Sequence, residues 1–345
     1  MKKLLLLNTM KKLLLILLCV PLTGFSQQTV YDSIFHDGVY RQYITYVPDS
    51  YDPLVNVPLV FNFHGLTGTA YTTMWHADFR PIADTSNFII VHPQGLLNNL
   101  GLTHWNIGQS SVDDIGFIEE LHQKLTLEYS IDLDKVYSAG MSNGGYMSYY
   151  LSCAMNDKIA AIASVTGAMS QYTETFCNPT HPTAVMEIHG TADSTVPFNS
   201  IISGLEYWRD YNNCSSTADT TVIPDLVMGD WSTVEHIIYT SGDNGVTTEL
   251  FKIIGGGHTW PGSNFSSGVT NYDINASVEI WKFFSSYDIN GLIGTNVSID
   301  NKTKKDKNLV KITDILGRET NLINNTLLLY IYDDATVEKI ITLDK

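Results

Sequence analysis

Apolar residues recur along the chain with two periods, one close to two residues and one close to 3.6, and glycine, proline and polar clusters separate the runs. Short runs rich in branched and aromatic side chains predict strands at residues 40–46 (YRQYITY), 58–64 (PLVFNFH), 88–91 (FIIV), 136–139 (VYSA), 160–165 (AAIASV), 184–189 (AVMEIH), 234–239 (VEHIIY) and 250–254 (LFKII). Between them lie helical patterns at 113–129, 201–211 and 276–286, and an apolar segment after residue 144. In the first, Ile115, Ile118, Leu121, Leu125 and Leu127 fall mainly at helical spacing behind an acidic N-cap. Strands alternating with helices of ten or more residues predict the α/β class, a mostly parallel sheet covered on both faces. The tail differs: residues 309–319 and 327–343 read as short strands joined by turns, a small all-β appendage.

The 345 residues, 44% of them hydrophobic, are enough for one large core and a small second domain. Charge is unevenly placed. Residues 1–26 carry four lysines and no acid, residues 27–300 carry eight basic against 29 acidic side chains, and residues 301–345 carry eight against seven. So acidic a body does not hold nucleic acid or an anionic membrane surface by charge, and a neutral substrate suits it better. The N-terminus reads as a cleaved export signal over residues 1–26. Lys11 and Lys12 precede the apolar run 13–22, and Gly24, Phe25 and Ser26 offer small residues before Gln27. The run is too short to span a bilayer, so no stable transmembrane segment is expected. Residues 1–9 echo the same start, which makes Met10 a second candidate initiator, and Leu18 sits where a lipoprotein site at Cys19 would need a small residue. Three cysteines remain, Cys153, Cys177 and Cys214, enough for one disulfide in an oxidising compartment. Spacing leaves the pairing open, although Cys153 with Cys177 closes the shorter loop.

The chemistry gathers around Gly140-Met141-Ser142-Asn143-Gly144, a Gly-x-Ser-x-Gly pattern set between a strand and a helix-compatible run. The flanking glycines allow a strained turn that lifts the Ser142 hydroxyl above the sheet edge and aims the next amides at a developing oxyanion. Alone the pattern recurs by chance in about one chain in ten of this length; its partners give it weight. Asp193 lies just past the strand 184–189, where open α/β sheets place their chemistry, and follows the serine. His258 lies on a glycine-rich loop just past the strand 250–254. The order serine, acid, histidine is that of a Ser-His-Asp hydrolase. His189 and His236 are the rival bases, but both fall within or at the end of strands, where side chains pack. The loop at His64-Gly65-Leu66-Thr67-Gly68 follows a buried strand and is expected to supply a second oxyanion amide, at Leu66, beside that of Asn143. Asp113 and Asp114 are read as helix capping rather than a metal pair. The expected reaction is acyl transfer to water through an acyl-serine, with no metal and no cofactor.

Five blocks carry a resemblance: HG at 64–65, VDDIGF at 112–117, GMSNGG at 140–145, IHGTADSTVPF at 188–198 and GGGHTWPG at 255–262. Together they resemble secreted polyhydroxybutyrate depolymerases and feruloyl esterases, relatives within carbohydrate esterase family 1 of the α/β-hydrolase superfamily. The resemblance covers residues 28–286. It implies hydrolysis of polymer-borne or aromatic esters, substrate contacts at Trp260 and His64, and pairing of Cys153 with Cys177. Relatives often carry a cysteine near Asp243 to pair with Cys214; its absence implies that Cys214 is free. The tail resembles the C-terminal sorting domain of type IX secretion clients, with Ala335 where that pattern has glycine, and implies the type IX machinery as a partner.

The expected organisation is therefore a signal peptide at 1–26, an α/β-hydrolase domain at 27–290, a polar linker at 291–307 and a sorting domain at 308–345. The expected function is an exported serine esterase, secreted or attached to the cell surface, acting on polymer-borne esters. A serine peptidase of the prolyl-oligopeptidase type shares the triad order but needs a long N-terminal domain. A non-catalytic surface-binding module on a hydrolase fold would lack one of the three side chains.

Overall fold

The computed structural model describes residues 27–265, 268–294, 309–314, 318–321, 327–332 and 337–341. The expected signal peptide, most of the expected linker, and Ala335 lie outside the described residues. The chain divides into two compact units, Met1–Thr295 and Asn296–Lys345.

The larger unit is built on a ten-stranded sheet. In chain order its strands are β1 (Gln28–His36), β2 (Val39–Val47), β3 (Val57–Phe63) and β4 (Ile89–Pro93). A two-stranded hairpin follows, β5 (Leu96–Leu97) and β6 (Thr103–His104). The sheet continues with β7 (Ile131–Met141), β8 (Ala161–Val165), β9 (Ala184–Gly190), β10 (Asp219–Ile223), β11 (Thr233–Tyr239) and β12 (Thr248–Ile254). Across the sheet the order is β1-β2-β4-β3-β7-β8-β9-β12-β11-β10. The six interior strands from β4 to β12 run parallel, and two antiparallel strands flank them on each side. The interior strands read as unbroken apolar runs because both faces are covered. In β3, Leu59, Phe61 and Phe63 project into one core and Val60 into the other, the two-residue alternation of a strand.

Among the described residues seven α-helices cover the sheet: α1 (Ala70–His76), α2 (Arg80–Ser86), α3 (Asp114–Glu128), α4 (Asn143–Ala154), α5 (Gln171–Phe176), α6 (Ile202–Tyr211) and α7 (Ala276–Phe284). One core is closed by Ala83 of α2 and by Ile280, Phe283 and Phe284 of α7. The opposite core is closed by α3, α4 and Trp208 of α6. As the sequence implies, Asp113 caps α3, its Oδ1 accepting from the Gly116 amide at 2.9 Å. The buried stripe of α3 is Phe117, Ile118, Leu121 and Leu125, whereas Leu127 is 90% exposed. Phe117, rather than Leu127, completes the face turned to the core.

Elements the apolar pattern does not announce are short or lie at edges. Strands β1 and β10 are largely exposed and mix polar with apolar residues, and α1, α2 and α5 span only six or seven residues. Past α7, Tyr287–Asp288 pairs antiparallel with Gly291–Leu292. The smaller unit is an antiparallel three-stranded sheet of Leu309–Thr313, Leu327–Tyr332 and Val337–Ile341, with the middle strand central.

Candidate active site

Strand β7 ends at Met141, and Ser142 turns the chain at φ 53°, ψ −119° before α4 begins. A non-glycine residue held there stores roughly 1–3 kcal/mol of backbone strain, which the surroundings must enforce. They do so from two sides. The Ser142 amide donates to the Val165 carbonyl of β8 at 2.8 Å, and the Tyr146 amide returns to the Ser142 carbonyl at 3.0 Å. The flanking glycines are required by close approach: a Cβ on Gly140 would stand 2.4 Å from the Gly144 carbonyl, and one on Gly144 would stand 2.3 Å from that of Phe63. The turn therefore presses the start of α4 against the ends of β3 and β7. Its first amides, that of Asn143 included, have no partner within the helix.

Asp193 and His258 meet beyond the ends of β9 and β12, neighbouring parallel strands whose loops are laced together. The Thr191 amide donates to the Ile253 carbonyl at 2.8 Å, Ala192 to Gly256 at 2.9 Å, and the Gly255 amide to the Thr191 hydroxyl at 2.9 Å. A Cβ on Gly190 would lie 2.2 Å from the Gly256 carbonyl, so these loops approach as only glycine permits. Asp193 is buried. Its Oδ1 accepts from the amides of Thr195 and Val196 at 2.8 and 2.9 Å, and its Oδ2 faces His258 Nδ1 at 2.7 Å. The His258 side chain keeps 21% exposure. With Nδ1 on the carboxylate, Nε2 is the nitrogen available to exchange a proton with a hydroxyl. Ser142, Asp193 and His258 all leave the same end of the sheet, the C-terminal end of its parallel strands.

The loop after β3 folds into a turn, with the Gly68 amide donating to the Gly65 carbonyl at 2.9 Å. Thr103 pins it by accepting from the Thr67 amide at 2.9 Å and donating its hydroxyl to the Gly68 carbonyl at 2.6 Å. Leu66 stands at the corner of this turn, half exposed. Beneath it, His64 Nδ1 donates to the Gly65 carbonyl at 2.8 Å and Nε2 accepts from the Gly95 amide at 2.9 Å. Burial pushes the His64 pKa down to about 4, so the ring is neutral. The Trp105 indole N–H donates to the His64 carbonyl at 3.0 Å. Asn143 grips the Trp105 backbone on both sides, accepting from its amide at 2.6 Å and donating to its carbonyl at 3.1 Å. One clamp thus ties the turn at Leu66 to the elbow at Ser142, which fixes the spacing of the two candidate oxyanion amides.

A family model described as phospholipase/carboxylesterase matches residues 114–237. A bifunctional acetylxylan esterase/xylanase of Neocallimastix patriciarum is 27% identical over 272 residues, 78% of this chain and 36% of its own length. Feruloyl esterase C of Emericella nidulans is 25% identical over 232 residues, 64% of this chain and 82% of its own. The solved acetyl xylan esterase from Aspergillus awamori superposes with a TM-score of 0.58 at 16% identity, covering 75% of this chain and 99% of that one. The fold is that of an α/β-hydrolase. Its curated relatives are named as esterases, and the chain spans about a third of the first of them.

In this fold the two residues expected to touch substrate, His64 and Trp260, are both buried. His64 is fully buried and spends both ring nitrogens on loop backbone. Trp260 is 1% exposed, with its indole N–H on the Ser277 hydroxyl at 3.2 Å and its ring edge-on to Phe79. The rival histidines are engaged elsewhere: His236 binds Glu249 at 2.8 Å and stacks on Phe251, and His189 is buried behind Asp193. Asp114 forms a buried ion pair with Arg41 and accepts from the Asn106 amide at 2.7 Å, holding the loop that carries Trp105. Trp105 and Arg41 lie outside the motifs, and the Gly-x-Ser-x-Gly pattern, in which the residue after the serine is free, says nothing of the Asn143 side chain as a clamp. Cys153 and Cys177 are bonded, linking α4 to the end of α5, while Cys214 is a free thiol whose pKa burial pushes up. Among the described residues no group of three or more His, Cys, Asp or Glu side chains is placed to hold a metal ion, and no helix is long and apolar enough to cross a membrane.

Proposed function

We propose that the chain is an exported serine carboxylic-ester hydrolase, with Ser142 as nucleophile, His258 as base and Asp193 as the carboxylate that orients it. The observation that carries this is the 2.7 Å contact between His258 Nδ1 and Asp193 Oδ2 at the sheet end that also bears the strained Ser142. As Ser142 Oγ attacks the ester carbon, its proton passes to His258 Nε2 and the carbonyl electrons move onto oxygen. The amides of Asn143 and Leu66 receive that oxyanion, a contribution of about 3 kcal/mol for each donor in related chemistry. The C–O bond to the leaving alcohol breaks, and the alcohol takes the proton from His258. Water then repeats the sequence on the acyl-serine.

The substrate class in this reading is a polymer-borne ester, feruloyl or acetyl on polysaccharide, or a polyhydroxyalkanoate. The acidic body suits a neutral polymer, and the related chains are named as acetylxylan and feruloyl esterases. Residues 1–26 would direct export and residues 308–345 would address the type IX machinery, joined to the catalytic domain by the linker at 291–307. Turnover of p-nitrophenyl acetate, methyl ferulate and a chromogenic dipeptide by the wild type and by Ser142→Ala tests the reading. Ester hydrolysis that falls by about 10⁴-fold in the variant is expected. Peptide cleavage without ester cleavage, or no turnover of any substrate, would overturn it.

A further inference from the structure

Two ionisable side chains that this reaction does not use lie directly behind Asp193. Glu187 and His189 are two residues apart on β9, so both project from one face of the strand, and neither has any exposed side-chain surface. Glu187 Oε1 is 3.0 Å from His189 Nδ1, and Glu187 Oε2 accepts from the Tyr149 hydroxyl of α4 at 3.2 Å. Across the ring, His189 Nε2 is 2.9 Å from the Val196 carbonyl and 3.4 Å from Asp193 Oδ2. A carbonyl oxygen only accepts, so Nε2 must carry a proton. Nδ1 then either carries a second proton toward the Glu187 carboxylate or accepts one from a protonated Glu187. In both cases one proton is held between the two side chains.

Burial raises the Glu187 pKa. For His189 burial pulls the other way, yet the adjoining Glu187 carboxylate leaves its pKa above the ordinary histidine value. Both directions keep the shared proton in place. The other ionisable groups around the pair are Tyr146 and Tyr149 on α4, Asp193 with His258 beyond it, and Lys252, the β12 neighbour of His189, which is paired with Glu235 at 2.9 Å. An apolar side chain of similar size would fill the same space at lower desolvation cost, so a pair this polar in a fully buried layer marks a directional task.

We propose that Glu187 and His189 are positioning residues: a proton-sharing pair that fixes His189 as an Nε2–H donor to the Val196 carbonyl, and so holds in place the residue whose amide binds Asp193 Oδ1 and aims the Asp193 carboxylate at His258. The kinetic consequences rest on the esterase reading; the protonation state does not.

The first test is therefore free of activity. In Ser142→Ala protein carrying ¹⁵N-histidine, His189 is expected to keep Nε2 protonated from about pH 5 to 9, across the range where an ordinary histidine titrates. A bare Nε2 anywhere in that range overturns the proposal. The second uses p-nitrophenyl acetate. His189→Gln, which restores an N–H near the Nε2 position, is expected to keep kcat within about threefold. His189→Leu should lose about tenfold, the size of one buried hydrogen bond, with KM within about twofold. With the Val196 segment no longer held, the Val196 amide stabilises Asp193 less and the carboxylate becomes a stronger partner for the His258 imidazolium, so the acid limb of kcat/KM should move to higher pH in His189→Leu, and in Glu187→Gln as well. Equal kcat in His189→Leu and His189→Gln, or an acid limb unmoved in both His189→Leu and Glu187→Gln, overturns the proposal. Should His189→Leu fail to fold, Glu187→Gln and the nitrogen spectra still decide it. A wild type without ester turnover would sink the esterase reading alone.

Discussion

His64 and His189 occupy matching places in the molecule. Each stands at the C-terminal end of an interior parallel strand, each is followed by glycine, and each is fully buried. Their protonation is opposite. His64 has a backbone carbonyl on Nδ1 and a backbone amide on Nε2, which fixes the neutral Nδ1–H tautomer, and burial drops its pKa to about 4. His189 has a carbonyl on Nε2 and the Glu187 carboxylate on Nδ1, which fixes a proton on Nε2 and holds its pKa up. Burial alone removes the charge from a histidine; burial beside a carboxylate retains the proton. The same two-letter motif thus builds a neutral brace under the turn at Leu66 and a donor behind the acid at Asp193.

Between the two histidines, the larger expected effect comes from removing the brace. His64→Leu leaves the Gly95 amide and Gly65 carbonyl without their partners, at about 1–3 kcal/mol of stability for each buried group. It also frees the turn that carries the Leu66 amide, so kcat on p-nitrophenyl acetate should fall by about 100-fold or more, beyond the loss in His189→Leu. A kcat within a few-fold of wild type would break the comparison.

The two histidines should also differ in how they tie stability to pH. For His64 the folded pKa lies below the unfolded value near 6.5, so the unfolded chain binds the extra proton and stability falls as pH drops from about 6.5 to about 4. The slope approaches about 1.4 kcal/mol per pH unit within that window. His92, buried in β4 with its pKa pushed to about 3, adds a slope of the same sign. His189 contributes the opposite sign: its raised folded pKa supports stability below about pH 6.5, and that support is lost as pH rises through the folded value. Urea midpoints between pH 7 and 4.5 should show a shallower acid loss in His64→Gln than in wild type. An unchanged loss would show that the His64 ring takes no part in it.

Trp105→Phe sharpens the comparison more gently. The ring stays and the N–H to the His64 carbonyl goes, at an expected cost of about 1 kcal/mol and a few-fold in kcat. No change in either would mean the brace does not need its outer anchor. The smallest effect belongs to Cys214→Ser, remote from both histidines. Stability should change by less than about 0.5–1 kcal/mol and kcat not at all, and the wild-type thiol, its pKa raised by burial, should alkylate slowly.

Much of the fold was legible because its signals are local. Val57–Phe63 and Ala184–Gly190 announce interior strands by composition, and Asp113 announces the start of α3. Edge strand Gln28–His36 was not legible, because an edge buries too little of itself to force an apolar pattern. The direction of the Trp260 ring was not legible either. It lies next but one to His258 in the chain, yet its ring turns into the core against Phe79.

What the sequence by itself determined is therefore what steric rules and short periods write directly into neighbouring residues. The alternation of strand and helix, the two glycines that a turn at Ser142 demands, and the order in which Ser142, Asp193 and His258 follow one another are of this kind. Only the tertiary structure decided which atoms meet: the 2.7 Å contact of His258 with Asp193, the clamp of Asn143 on Trp105, and the unlike protonation of His64 and His189. A proton's position depends on the oxygen or nitrogen packed against each ring atom, and those partners arrive from strands and loops far away in the chain.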